Sequence, residues 1–194
     1  MILNDAWIQE HAAAGMITPF EPKLIRKVEN RKLLSYGCSS YGYDLRLSSK
    51  EFFVFRHIPG TIVDPKAFNP ANLAPAPLYH DPIQGHYFVL PAHSYGLGVT
   101  LERLAIPEDV TAVFLGKSTY ARCGIILNTT PGEAAWYGHL TLELSNSAGS
   151  DCRIYANEGI SQALFFQGEP CLTSYEDRAG KYQDQIHGVV TARV

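Results

Sequence analysis

Near the start of the chain the apolar residues return at helical intervals: Ile8 and Ala12 share one face, Asn4 or Asp5 stands where the first free amides need an acceptor, and Gly15 follows the last periodic residue. This pattern predicts one amphipathic helix over about 4–14. Beyond Pro22 the periodicity changes to short runs rich in β-branched and aromatic residues and broken by glycine and proline, at 43–47, 51–55, 86–90, 95–101, 111–115, 140–144 and 163–166. Runs at that spacing predict a mainly β fold, a sandwich or a barrel, in one domain spanning 1–194. Between them, 64–82 carries Pro65, Pro70, Pro75, Pro77 and Pro82 with little periodicity, and reads as an irregular surface excursion.

Composition adds exclusions. With 16 Lys+Arg against 19 Asp+Glu the net charge is −3, so no global positive field exists to hold a nucleic acid or an anionic membrane. Any anionic ligand must be gripped locally. The most apolar stretch, around 124–127, is far shorter than the ~20 residues a bilayer span needs, and the first residues lack a basic segment leading into an apolar one. The expected compartment is the cytoplasm.

Cys38, Cys123, Cys152 and Cys171 are widely spread without a Cys-x-x-Cys pair, and are expected to be reduced and mostly buried. The zinc-deaminase signature is absent, since Pro170-Cys171 is followed by Leu172, Thr173 and Ser174 and no His stands two residues before a Glu. The seven histidines are scattered, so no protein metal ligands are expected. If the chemistry needs an activated water, side chains must activate it.

The stretch most suggestive of chemistry is Leu115-Gly116-Lys117-Ser118-Thr119-Tyr120-Ala121-Arg122, which follows a predicted strand and is placed to open a short helix capped by Ser118 or Thr119. Free amides at such a turn, two hydroxyls and the cations of Lys117 and Arg122 would form a phosphate cradle. The glycine spacing of a P-loop is missing. Taken alone, the pattern fits a capped helix with two solvated cations equally well.

Four further blocks, with this one, resemble dCTP deaminases of the trimeric dUTPase-like superfamily. The turn continues into Cys123-Gly124-Ile125, and Trp136-Tyr137-Gly138-His139-Leu140-Thr141-Leu142-Glu143-Leu144-Ser145-Asn146 follows. Ser40-Tyr41-Gly42-Tyr43-Asp44-Leu45-Arg46-Leu47 and Tyr155-Ala156-Asn157-Glu158-Gly159-Ile160-Ser161-Gln162-Ala163-Leu164-Phe165-Phe166 fit on either side, as does the tail from Ser174-Tyr175 to Gln183.

The resemblance implies a distorted jelly-roll barrel of dUTPase-like type that forms homotrimers, with nucleotide sites where subunits meet. It implies hydrolytic deamination of dCTP to dUTP and ammonia without zinc, with Mg²⁺ arriving on the triphosphate and dTTP as an inhibitor. Glu143 matches the family's catalytic glutamate, and Ser118 and Arg122 match residues that hold the water and polarise the reacting region. Nucleotide contacts are carried to Lys117, Ser118, Thr119, Tyr120, Ala121 and Arg122, to Thr141, Leu142 and Glu143, and to Gln162. The tail, about 174–194, supplies Tyr175, Lys181 and Gln185, with a frayed C-terminus as the plain alternative. Glu133 falls at the family's acidic position ahead of Trp136, although Gly132 and Ala134 make its turn less stiff; it is either a sugar or base contact or a surface carboxylate.

Three rivals stand beside monofunctional deamination. A dUTPase would carry an aspartate in its Gly-x-Ile-Asp-type turn and a glycine-rich tail motif, and neither is present. A bifunctional enzyme giving dUMP and pyrophosphate would share the 117–122 and Glu143 blocks. A nucleotide-binding protein of the same fold without catalysis would bind dCTP and release no ammonia.

Overall fold

The computed structural model describes residues 1–194. Asn4 caps helix α1 (Asp5–Ala13), its Oδ1 accepting from the Trp7 amide at 3.1 Å, and the predicted face of Ile8 and Ala12 is buried. Gly15 takes a left-handed φ of +98° and turns the chain away.

Short strands follow: β1 (Ile17–Thr18), β2 (Ile25–Val28), β3 (Arg31–Ser39), β4 (Gly42–Arg46), β5 (Phe53–Phe55), β6 (Leu73–Pro75), β7 (Tyr79–Asp81), β8 (Gly85–Leu90), β9 (Tyr95–Ala105) and β10 (Val110–Gly116). A one-turn helix α2 (Ser118–Ala121) precedes β11 (Ile125–Leu127), β12 (Tyr137–Asn146), β13 (Cys152–Tyr155) and β14 (Gly159–Gln167). One sheet runs β11-β12-β9-β5-β6, with β1 also on β9; a second runs β10-β14-β4-β3-β2; a third is β13-β8-β7. Every pairing is antiparallel, as the mainly β expectation requires.

Each predicted run overlaps a strand. The β2–β3 hairpin was not foreseen, because Arg26 and Lys27 give β2 a charged, mostly exposed face with little apolar alternation. The 64–82 excursion is a correction: it contains a 3₁₀ turn at Pro70–Asn72, all of β6 and the first strand of the third sheet. Prolines concealed these elements, yet β6 is the edge of its sheet, where Pro75 needs to give up no ladder bond on its outer side.

Two apolar clusters fill the interior. One gathers α1, Tyr43, Leu104, Phe114, Trp136 and Phe165; the other gathers Phe52, Phe88, Tyr120, Leu142 and Leu144. Burying each large side chain contributes roughly 1.5–3 kcal/mol. Gly96 makes the second cluster possible, since a Cβ there would stand 2.6 Å from the Phe52 ring. Between the two main sheets, Arg46 of β4 donates through Nε to Glu102 of β9 at 2.6 Å, an ion pair whose carboxylate is fully buried. The cysteines are all free, but only Cys38 is buried; Cys123 and Cys171 are exposed because they sit in the turn after α2 and the loop after β14.

Candidate active site

Alternation along β12 sends Leu142 and Leu144 into the core and Thr141 and Glu143 to the opposite face. A bulge between His139 and Thr141 sets this phase. Glu143 lies opposite Leu97 on β9, two residues from Tyr95, and its carbonyl accepts from the Asn128 amide at 2.8 Å. Its side chain faces a cavity of about 330 Å³ lined also by Phe55, Phe68, Tyr95, Thr141 and Gln185. Phe55 meets Tyr95 edge to face at 5.3 Å and Phe68 at 5.9 Å, giving the cavity an aromatic wall. Burial in these surroundings lifts the Glu143 carboxyl to about 7. A carboxyl held there both accepts and returns a proton near neutrality.

The C-terminal segment closes this cavity from the same chain. Gly138, at φ +138°, lets it approach: a Cβ there would stand 2.5 Å from the Gln185 nitrogen. His139 N donates to Gln185 O at 3.0 Å, Asp184 N to Tyr137 O at 3.0 Å, and Tyr175 N to Ala134 O at 3.0 Å. Gln185 Oε1 accepts from Thr141 Oγ1 at 3.0 Å, and Trp136 Nε1 donates to Tyr182 O at 2.8 Å. The tail is therefore docked rather than frayed. Beside the first cavity a second, of about 420 Å³, is lined by Glu133, Tyr175 and Lys181 among others, and Thr130, Leu140, Tyr182 and Gln185 border both. Glu133 is ion-paired with Arg178, each about half exposed, so in this chain its carboxylate ties the tail to the turn. Lys181 is exposed, its Nζ donating to Arg193 O at 2.8 Å.

The 117–122 turn links β10 of the second sheet to β11 at the edge of the first. Ser118, Thr119, Ala121 and Arg122 are exposed, with Arg122 Nη1 donating to Ser118 O at 2.9 Å. Two expectations change. The N-cap of α2 is Lys117, which makes no side-chain cap bond, because Ser118 and Thr119 already lie inside the helix. The Lys117 ammonium is drawn inward to the buried Asp44 carboxylate and donates to Ser35 Oγ at 3.0 Å, so it is not a free cation at the turn. Tyr120 is buried with its hydroxyl accepting from Tyr155 N at 2.8 Å, and Leu142 is wholly in the core; only their backbones face outward chemistry. Gln162, half-buried on β14, pairs with Leu115 of β10 and Asp44 of β4, on the side of this turn.

One chain thus brings together Glu143, Thr141 and Gln185, with Glu133, Tyr175 and Lys181 adjoining, and holds Ser118, Thr119, Arg122 and Gln162 in a second group with no hydrogen bond or ion pair to the first. Sequence reasoning missed Phe55, Phe68, Tyr95 and Tyr182 around the carboxyl. Phe55 and Tyr95 lie in runs that were predicted as strands, whereas Phe68 in the proline-rich stretch left no signal. No group of three or more His, Cys, Asp or Glu side chains is arranged to hold a metal ion, and no helix is long and apolar enough to cross a membrane.

A family model described as dCTP deaminase-like matches residues 2–168. The chain is 51% identical over 190 residues to the dCTP deaminase of Acidovorax sp. (strain JS42), covering 97% of this chain and 96% of that one. To the dCTP deaminase of Dechloromonas aromatica (strain RCB) it is 48% identical over 195 residues, covering 100% and 99%. The crystal structure of 2′-deoxycytidine 5′-triphosphate deaminase from Agrobacterium tumefaciens aligns with a TM-score of 0.55 at 20% identity, over 90% of this chain and 50% of that one, a likeness of fold. With a matching model over most of its length and full-length relatives at about half identity, the chain belongs to the dCTP deaminase-like family.

Proposed function

We propose that this protein hydrolyses dCTP to dUTP and ammonia, supplying dUTP for thymidylate synthesis, and that Glu143 is its proton-transfer group. The observation that carries the reading is a carboxyl lifted to about 7 by burial in an aromatic-walled cavity of about 330 Å³. As a carboxylate it takes a proton from water as the oxygen adds to C4 of cytosine. As a carboxylic acid it passes that proton to N3, leaving hydroxyl and amino groups on C4; it then takes the hydroxyl proton and gives it to the departing amino group, so the C4 carbonyl forms as ammonia leaves. Thr141 and Gln185 border the base. Ser118 and Arg122 hold and polarise the reacting water, while the amides and hydroxyls of 117–122 receive phosphates, aided by Gln162.

Because a single chain forms no hydrogen bond or ion pair between these groups, the reading requires that they meet between subunits. A homotrimer satisfies this by placing one chain's turn against its neighbour's cavity in a closed ring. Residues 1–194 then act as one domain whose tail, about 174–194, closes on the nucleotide through Tyr175 and Lys181. Mg²⁺ enters with the triphosphate, whose charge of roughly −4 it partly neutralises, and zinc takes no part. dTTP, sharing sugar and phosphates with the substrate, competes for the same site, and the enzyme works in the cytoplasm.

Purified protein given dCTP and Mg²⁺ tests this. Stoichiometric ammonia and dUTP are expected. Pyrophosphate and dUMP appearing with the ammonia would replace this reading with the bifunctional one, and dCTP binding without ammonia would leave a nucleotide-binding protein.

A further inference from the structure

The imidazoles of His139, on β12, and His187, on the tail, stack face to face, with centroids 4.4 Å apart and planes 15° from parallel. His139 is four residues from Glu143 on the same strand, and His187 two residues from Gln185. Each ring is anchored: His139 Nδ1 lies 3.1 Å from the Thr100 carbonyl, so it is the protonated nitrogen, and His187 Nε2 lies 2.8 Å from Ser48 Oγ. The stack sits midway along the docked segment, between the Gln185 contacts and the Val190 amide, which donates to Thr141 Oγ1 at 3.1 Å.

The charges around the rings are mostly positive. Lys50 donates to the His187 carbonyl from the loop after β4, and Arg103 faces His139 from β9 while lying 3.9 Å from Asp184. Glu51 is the opposing charge, and it is occupied by the Val189 amide. Burial together with these cations holds both imidazoles below their ordinary range. A proton on His139 would stand against its stacked partner, Arg103 and Lys50, and a proton on His187 against Lys50.

We propose that His139 and His187 are a positioning pair for the reaction: stacked and neutral, they hold Gln185 against Thr141 over the Glu143 cavity, and on acidification they release the tail. The sign follows from where protons bind. The released state has ordinary imidazoles and takes up protons first, so docking is at full strength above about pH 6.5 and weakens as pH falls through that value. The catalytic consequence rests on the deaminase reading; the docking itself does not.

The test uses full-length Glu143→Gln protein without nucleotide, so that the cavity carboxyl does not titrate. Hydrogen exchange of the 183–194 amides, corrected for intrinsic rates, is expected to lose at least about tenfold of its protection between pH 7.5 and pH 5.5. His187→Phe keeps an aromatic ring that cannot charge, and is expected to reduce that pH dependence to what His139 alone contributes. Proton NMR of the two imidazoles follows their titration directly, and it should coincide with the loss of protection. In the active protein, KM for dCTP should rise at acid pH about as far as protection falls, and His187→Phe should flatten the rise. Protection independent of pH, or imidazole titration that leaves the tail docked, overturns the proposal. If His187→Phe does not dock at any pH, the coincidence of titration and release in the parent chain decides. Failure to deaminate dCTP would instead strike the functional reading, since the exchange measurement needs no turnover.

Discussion

Gln185 Oε1 accepts a hydrogen bond from Thr141 Oγ1 at 3.0 Å, joining a residue near the end of the chain to the strand position two before Glu143. The contact makes the roof of the cavity part of the same unit as the group at its base.

Replacing Glu143 by Gln preserves shape and removes the base. Ammonia release should fall by about two orders of magnitude or more, while dCTP binding and the thermal transition persist. Assays of ammonia beside calorimetric titration with dCTP check this, and a variant that keeps its rate refutes the assignment.

Because burial raises Glu143 to about 7, kcat/KM should fall on the acid side of pH 7, approaching tenfold per pH unit. Stability runs the other way. The folded chain binds this proton more tightly than the unfolded chain does, so the favourable contribution is complete below the unfolded value of about 4.5 and is lost as pH rises through about 7. Glu143→Gln should therefore gain Tm relative to the parent from pH 5.5 to pH 8.5, as scanning calorimetry would show.

Arg122→Ala removes an exposed forked cation and should lower kcat/KM by tenfold or more, of the order expected for a charge-assisted contact. If Arg122 and Glu143 act in one site across subunits, mixing inactive Arg122→Ala and Glu143→Gln chains restores part of the activity. Lack of restoration after verified subunit exchange, or an active monomer on mass measurement, contradicts the shared site.

Gly138→Ala places a Cβ 2.5 Å from the Gln185 nitrogen and puts an alanine at φ +138°. Strain of about 1–3 kcal/mol should favour tail release. The expected result is a tenfold to hundredfold loss of kcat/KM, of the order that misplaced groups near a reacting centre produce, with the β core intact by circular dichroism.

A chelator selective for transition metals should leave turnover unchanged, whereas removing all divalent ions should lower it until Mg²⁺ is returned. Recovery with Zn²⁺ alone would mean that a metal, not Glu143, activates the water.

Long alternating runs were the legible part of this sequence. Along β10, β14 and the 142–146 half of β12 one face is buried, and that requirement writes period two into the residues. β2, β6 and β7 left almost no trace because neighbouring strands, not their own burial, hold them in place. At the site, Glu143 and the 117–122 turn could be named from their motifs, but the pairing of Lys117 with Asp44 could not, since 73 residues separate the partners and only the β4–β14–β10 order brings them together. The His139–His187 stack was equally hidden, because a lone histidine gives no sign of its partner.

The tail is fastened by main-chain and side-chain atoms together: a parallel bridge from Gly138 to Gln185 and amide–carbonyl bonds at Tyr137, His139 and Ala134, with side-chain bonds at Trp136, Gln183, Gln185 and His187. The backbone part of this fastening asks nothing of side-chain identity apart from the glycine that makes room for it. The side chains of Val190 and Ala192 line the cavity without taking part in any of these bonds, so a change at either would reshape the cavity while the segment keeps its berth. At these two positions the shape of the cavity is uncoupled from the hold on the segment that roofs it.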